Sequence, residues 1–163
     1  MKKNIKIIYL IFLLNLAYSC VGYEPTFKSS TLNFKIEEYK IEGDKNTAEK
    51  IYSSLKRAGT YKSNNNDAIL IDFFIKTSKT NIATIKDSAG KTKEYKIILK
   101  AKIKISDYLS NNILINETFE TSSSYKVQDN YSDTVLLENK SIENLTDTMF
   151  INILNKLSIK ISK

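Results

Sequence analysis

Residues 95–105 read Tyr-Lys-Ile-Ile-Leu-Lys-Ala-Lys-Ile-Lys-Ile, and this stretch decides the fold. Successive side chains of a β-strand point to opposite faces of a sheet, so the alternation predicts a strand with one apolar and one basic face. The apolar face consists of Tyr95, Ile97, Leu99, Ala101, Ile103 and Ile105. The other face holds Lys96, Lys100, Lys102 and Lys104, interrupted by Ile98. Such a strand needs a covering layer on its apolar side.

Turn signals stand on both sides of this strand, at Asp87-Ser88-Ala89-Gly90 and at Ser110-Asn111-Asn112. The segment before the first turn predicts a long strand that continues through Ile82 and Ile85. One face holds Ile69, Ile71, Phe73 and Ile75. The other holds Leu70 and Phe74 beside Asp72 and Lys76. The segment after the second turn predicts a last strand on Ile113, Ile115, Phe119, Tyr125 and Val127. Glu117 breaks the apolar phase of that last strand.

An earlier strand and two helices complete the pattern. Alternation at Phe34 and Ile36 slips before Tyr39, which predicts a β-bulge at Glu37–Glu38. A first helix is predicted after it, with Asn46 as N-cap, Glu49 completing a capping box and Gly59 closing the helix. A final helix, capped by Ser132 or Asp133, has its apolar stripe on Ile142, Leu145, Met149, Ile153, Leu157 and Ile161.

The predicted order is therefore β-α-β-β-β-α. Hairpin-connected strands favour antiparallel pairing, and two helices with one apolar stripe each can cover only one face of four strands. The sequence predicts an α+β fold, a two-layer sandwich whose four-stranded, mainly antiparallel sheet is covered on one face by two helices.

The N-terminus has the pattern of a secretory signal peptide. A basic start is followed by an apolar run of about eleven residues, too short to span a bilayer, which needs roughly 20. Cys20, the single cysteine, stands where cleavage would occur, so we predict a signal peptide over residues 1–19 and a lipidated Cys20. The box departs from the usual bacterial lipobox at Ala17 and Tyr18. The alternative is an uncleaved anchor helix with a buried cysteine.

The predicted mature chain has 144 residues, enough for one domain with an adequate core. Residues 20–30, with the single proline, predict a tether, and residues 31–163 predict a single domain. Removal of Lys2, Lys3 and Lys6 lowers the formal charge from +7 to +4, which permits an anionic partner. Export argues against nucleic acid as that partner.

The composition also limits the chemistry. The chain contains no histidine, which excludes Ser-His-Asp and Cys-His catalysis and most zinc sites. No phosphate-binding glycine loop is present. The composition leaves an oxygen-only Asp/Glu metal site open, but the spacing of acids does not fit a calcium loop. An enzyme would need an Asp/Glu pair or Ser-Lys chemistry, and no apolar setting for such a pair is visible. We predict a protein that is not an enzyme and uses no metal or cofactor.

Three features occur together in a characteristic order. They are Cys20 followed by Gly22-Tyr23; the hairpin segment Gly90-Lys91-Thr92-Lys93-Glu94-Tyr95; and Ser124-Tyr125 followed by Tyr131, Glu138 and a helix ending in Asn155-Lys156-Leu157. Together they resemble the lipopolysaccharide-assembly lipoprotein family, LptE, in its alphaproteobacterial form, over nearly the whole mature chain. The high asparagine, lysine and isoleucine content is a departure that resembles genome-wide base composition.

The resemblance implies an outer-membrane lipoprotein, lipid-anchored on the periplasmic side, that binds lipopolysaccharide and plugs the lumen of an LptD-like β-barrel. It also implies that basic residues near the tip of the long hairpin contact the anionic lipid, and here Lys86, Lys91 and Lys93 flank that tip. Lys96, Lys100, Lys102 and Lys104 are further candidates for lipid phosphates or an acidic barrel interior.

Two alternatives remain at this stage. The lysines between residues 96 and 104 fit equally well the solvated face of an antiparallel sheet. The chain also fits a generic periplasmic adaptor or lipid-binding lipoprotein of another envelope system. A pull-down separates these functions, because an LptE-like protein should recover one large β-barrel protein and an adaptor should recover inner-membrane components.

Overall fold

The structure is a computed structural model that describes residues 32–60 and 68–161. Within these residues the elements follow the predicted order β-α-β-β-β-α. They are β1 (Phe34–Gly43), α1 (Lys45–Thr60), β2 (Ile69–Lys86), β3 (Thr92–Asp107), β4 (Ile113–Lys126) and α2 (Tyr131–Ile161). The predicted signal peptide, Cys20 and the tether lie outside the described residues.

The four strands form one mixed sheet in the order β1-β2-β3-β4. The pairs β2–β3 and β3–β4 are antiparallel, as expected for hairpins, whereas β1 and β2 are parallel because α1 carries the chain back between them. Both helices pack on the same face, α1 mainly on β1 and α2 mainly on β4. The predicted two-layer α+β sandwich is confirmed.

The core lies between this face and the helices, and β3 occupies its centre. Ile97, Leu99, Ala101, Ile103 and Ile105 are all at most 1% exposed. The α2 stripe meets them as predicted, with Leu145, Met149, Ile153 and Leu157 buried. Neither helix in the described part of the chain is long and apolar enough to cross a membrane.

The predicted bulge in β1 is confirmed. Ile36 pairs with Ile71 and Glu38 with Asp72, so Glu37 is the additional residue. The bulge restores the phase and turns Tyr39 towards the helical layer, where its ring stacks on Tyr52 of α1 with centroids 4.2 Å apart.

The predicted start of α1 is wrong. Asp44 is the N-cap: its side-chain oxygen accepts a hydrogen bond from the Thr47 amide at 3.3 Å, and its carbonyl accepts one from the Ala48 amide. Asp44 is itself held by β2, because its amide donates to the Thr77 carbonyl at 3.2 Å and the Thr77 hydroxyl donates to the Asp44 carbonyl at 2.8 Å. This long-range contact places the cap two residues before Asn46.

Gly59 also differs from its predicted role. It lies inside α1, where a Cβ atom would be 2.5 Å from the Phe34 carbonyl oxygen and 2.8 Å from the Phe34 ring. The glycine therefore allows the helix to approach β1 closely, and it does not serve as a C-cap.

The start of α2 likewise differs from prediction. Asn130 is the cap, since its side-chain oxygen accepts a hydrogen bond from the Ser132 amide at 3.1 Å and its carbonyl accepts one from the Thr134 amide at 3.3 Å. Glu117, which breaks the apolar phase of β4, forms an ion pair with α2: its carboxylate lies 2.9 Å from the Lys156 ammonium. Glu117 thus points to the helical layer at the edge of the sheet.

Candidate functional site

The face of the sheet that the helices leave uncovered, called here the open face, carries most of the predicted site residues. Lys96, Lys100, Lys102 and Lys104 of β3 lie on it, each exposed or half-buried. The strand register gives each of these lysines neighbours on β2 and β4. Ile82 and Ser124 lie beside Lys96, Lys76 and Thr118 lie beside Lys102, and Phe74 and Asn116 lie beside Lys104. The predicted second face of β2, with Leu70 and Phe74, belongs to the same surface.

Two lysines on the open face stand directly opposite each other, Lys76 on β2 and Lys102 on β3. Like charges in this position repel and cost stability. Glu42 of β1 compensates only part of the charge, with carboxylate oxygens 3.0 Å from the Lys40 ammonium and 3.7 Å from that of Lys76. Hydrogen bonding from Lys40, helped by the charges of Lys40 and Lys76, lowers the pKa of Glu42.

The remaining lysines of the open face differ in their pairing. Lys100 forms an ion pair with Glu120 at 2.9 Å. Among the described residues Lys96, Lys102 and Lys104 have no ion pair. Three ammonium groups are thus free to meet an anion from outside the chain.

Phe74 forms the apolar centre of this basic surface. The Lys40 ammonium lies 5.9 Å from the centre of its ring, and Lys104 is its cross-strand neighbour. A shallow recess of ≈ 340 Å³ opens beside it and is also lined by Glu38 and Asp72. Because these carboxylates oppose an anion, the recess is less suited to a phosphate than the lysines around Lys102.

The predicted tip group, Lys86, Lys91 and Lys93, lies at the β2–β3 turn. Asp87 builds this turn by accepting hydrogen bonds on its side chain from the amides of Ala89 at 3.1 Å and Lys91 at 2.9 Å. The bond from the Lys91 amide is the main cause that lowers the pKa of Asp87. Lys93 is partly neutralised, with its ammonium 3.6 Å from Asp87. Lys86 and Lys91 have no ion pair in the described part of the chain.

The hairpin extends past the helical layer. β1 ends opposite Thr77, and every residue of β2 beyond that point is exposed. The start of α2 reaches the hairpin at Asn81, whose side-chain amide donates to Glu138 at 2.9 Å. Burial, together with the nearby Glu138 carboxylate, raises the pKa of Tyr125 to about 12. Residues 82–94 extend beyond this contact.

The seven predicted lysines do not form one site. A strand rises by about 3.4 Å per residue, so Lys96 and Lys104 are about 27 Å apart and Lys91 lies about 40 Å from Lys104. The set comprises the predicted tip group (Lys86, Lys91, Lys93) and a lysine row on the open face (Lys96, Lys100, Lys102, Lys104). One lipid headgroup cannot reach from Lys91 to Lys104.

The predicted site residues did not include Lys40 and Lys76, although the sequence placed Lys76 on the second face of β2. The alternation of β2 places Lys76 with Phe74, which was a usable signal. Lys40 depends on the parallel register with β2, which no local pattern contains. No group of three or more His, Cys, Asp or Glu side chains that could hold a metal occurs among residues 32–60 and 68–161.

Solved structures of bacterial lipoproteins share this fold. Lipoprotein B from Nitrosomonas europaea matches with a TM-score of 0.58 and 11% identity, over 86% of this chain and 93% of its own. A minor lipoprotein from Acinetobacter baumannii matches with a TM-score of 0.51 and 18% identity, over 78% of this chain and 93% of its own. A provisionally assigned lipoprotein from Caulobacter crescentus CB15 matches with a TM-score of 0.55 and 12% identity, over 78% and 90%.

At these identities the comparisons establish a common fold. Neither a family model nor a curated protein matches the amino-acid sequence.

Proposed function

We propose that this chain is an outer-membrane lipoprotein that binds lipopolysaccharide and supports, as a plug, an LptD-like β-barrel during lipopolysaccharide assembly. The proposal includes lipidation of Cys20 and a location on the periplasmic side of the outer membrane. It assigns the protein a binding role, with no catalytic step.

The observation that carries the proposal is the long β2–β3 hairpin with lysines that the chain does not neutralise. Lys102 stands opposite Lys76 on a face that no helix covers, and the same hairpin continues to the basic tip. On a sheet face that contacts only solvent, like charges directly opposite each other lower the stability of the fold without any compensating interaction. An anion of the partner would relieve this repulsion, and lipid A presents phosphates beside acyl chains.

Two further observations support the proposal. The sequence has the pattern of a signal peptide over residues 1–19 followed by Cys20, as in a lipidated protein. The fold is also that of proteins described as bacterial lipoproteins. The resemblance to LptE then supplies the specific ligand and the barrel partner.

Lipopolysaccharide binding by three charge-matched variants of the full-length protein tests the proposal. The first changes Lys86, Lys91 and Lys93 to Glu, and the second changes Lys96, Lys102 and Lys104 to Glu. The control changes Lys45, Lys50 and Lys160, which are exposed residues of the two helices, to Glu. All three alter the net charge equally, so a general electrostatic effect would weaken all three equally.

We expect the tip variant to bind lipopolysaccharide at least tenfold more weakly, equivalent to about 1.4 kcal/mol, while the control binds as the parent does. Parent binding should weaken as salt is raised, because these lysines are exposed. Loss in the row variant alone would move the site to the open face. Parent-like affinity in both hairpin variants, with circular dichroism showing intact folds, would contradict lipopolysaccharide binding.

The barrel partner has a separate test. Affinity purification of the full-length protein from its native membrane should recover one large β-barrel protein. Recovery of inner-membrane components in its place would favour the generic adaptor and remove the barrel from the proposal.

A further inference from the structure

The turn between β3 and β4, at the opposite end of the sheet from the hairpin tip, exposes a compact set of apolar side chains. Leu109 is 77% exposed, Ile113 58% and Tyr108 41%. Single exposed apolar residues are ordinary on protein surfaces. Here three of them occur within six residues of one turn, called here the basal turn (residues 107–113).

The basal turn is held rigidly by Asp107. The Asp107 carboxylate accepts hydrogen bonds from the amides of Leu109 at 3.0 Å and Ser110 at 2.7 Å and from the Ser110 hydroxyl at 2.8 Å. The bonds from Ser110 are the main cause that lowers the pKa of Asp107. The backbone of the turn is closed as well, because the Asp107 amide donates to the Asn112 carbonyl at 2.9 Å. Tyr108 and Leu109 are thus presented on a fixed support.

The basal turn lies at the same end of the sheet as the start of β1. The Tyr108 amide donates to the Leu70 carbonyl, and the amide of the adjacent Ile69 donates to the Asn33 carbonyl. The basal turn is therefore two strands away from the point where the chain enters the sheet. Eleven residues, 21–31, separate Cys20 from Leu32, and a fully extended chain of this length reaches at most about 40 Å.

We propose that the basal turn inserts Tyr108, Leu109 and Ile113 into the interface of the bilayer that holds the lipid of Cys20. This inference rests on the proposed lipidation of Cys20. Tyrosine and leucine suit the boundary between headgroups and acyl chains, and the other turn residues, Ser110, Asn111 and Asn112, carry no charge that the bilayer would have to desolvate. The Asp107 carboxylate is already engaged by its own turn.

The anchor makes a weak contact effective. Three side chains alone would bind a bilayer only weakly, but a tether of eleven residues keeps the turn at high local concentration beside the membrane. When the protein is anchored to a bilayer in the absence of the barrel partner, the basal turn is then the part of the domain that contacts the bilayer. The hairpin tip lies at the far end of β3, whose 16 residues extend over about 50 Å.

Tryptophan fluorescence tests this arrangement, because the chain contains no tryptophan and one substitution gives a single probe. Leu109→Trp and Ile113→Trp place the probe in the basal turn. Ile82→Trp, at a residue 45% exposed near the hairpin tip, is the control. Each full-length lipidated variant is placed in vesicles of phosphatidylethanolamine and phosphatidylcholine, which carry no net charge that would attract the hairpin lysines, with or without bromine on the acyl chains.

Both basal probes should shift their emission to shorter wavelength and lose at least half of it in brominated vesicles, whereas Ile82→Trp should keep its emission. Flotation of the vesicles reports the anchor independently. If the protein floats with the vesicles but the basal probes stay unquenched, this inference is overturned and the proposed function stands. If mass spectrometry finds Cys20 unmodified and the protein does not float, the anchor is wrong and the inference is overturned with it.

Discussion

Several single residues have their identity fixed by backbone contacts rather than by their own side chains. Gly43 has a φ of 84°, and a Cβ there would be 1.9 Å from the Thr77 carbonyl oxygen. Gly59 brings α1 against Phe34 in the same way. The sequence marks both glycines, but it does not show whether a glycine ends an element or allows two elements to meet, because the second reason lies in distant residues.

The first prediction for a single residue concerns Gly59→Ala. The added methyl group would collide with the Phe34 carbonyl and ring, so we expect a loss of about 1–3 kcal/mol in the free energy of unfolding, measured with urea. Gly90→Ala is the control: its Cβ would meet nothing within 4 Å, and its φ of 79° alone should cost about 1–2 kcal/mol, confined to the hairpin tip. A Gly59→Ala protein as stable as the parent would show that α1 can move away from β1.

A second prediction concerns the pH dependence of the hairpin tip. The pKa of Asp87 is lowered in the folded protein, chiefly by the Lys91 amide. A lowered carboxyl pKa contributes stability above the ordinary value of about 3.9, and this contribution is lost as the pH falls through the folded pKa. The amide signals of Ala89 and Lys91 should therefore change by NMR at acid pH, below the ordinary titration range of an aspartate. A titration of Asp87 at its ordinary value would contradict this role. The role would also be contradicted if the Ala89 and Lys91 amide signals of Asp87→Asn changed at acid pH as they do in the parent.

Among the elements, the predictable ones are those whose pattern is local. The alternation of β3 predicted its buried face residue by residue, and the slip in β1 predicted the bulge at Glu37. The N-cap of α1 was wrong because Asn46 and Asp44 are equally suitable locally, and the bond with Thr77 decides between them. Glu117 had no explanation in the sequence because its partner, Lys156, lies in another element.

The buried face of β3 gives the third prediction. Leu99→Ala and Ile103→Ala remove side chains that are 1% and 0% exposed, so each should lower the free energy of unfolding by about 2–5 kcal/mol. Lys102→Ala, between them on the open face, should change it by less than about 0.5 kcal/mol. Denaturant unfolding measures all three. If the two core variants were as stable as the parent, the assignment of Leu99 and Ile103 to the buried face would be wrong.

The described domain, residues 32–60 and 68–161, has two chemically different ends. The hairpin carries the lysines at one end and along the open face, whereas the basal turn and the start of β1 lie at the other end. Alternation, a local property, predicted the four lysines of the row, and the resemblance to LptE implied the three lysines of the tip group. It also separated the tip group from the lysine row, because the turn at Asp87–Gly90 is a local signal. The contribution of Lys40 could not be predicted, because it depends on the parallel register between β1 and β2.

Crosslinking in living cells tests most directly the central claim that the hairpin lysines meet lipopolysaccharide. A photoreactive amino acid replaces Lys91, Lys102 or, as the control, Lys50 on α1 in the full-length chain. We expect irradiation to join lipopolysaccharide to the Lys91 position, the Lys102 position or both, and not to the Lys50 position. Efficient crosslinks at both hairpin positions to inner-membrane proteins, with no lipopolysaccharide adduct at either, would contradict it.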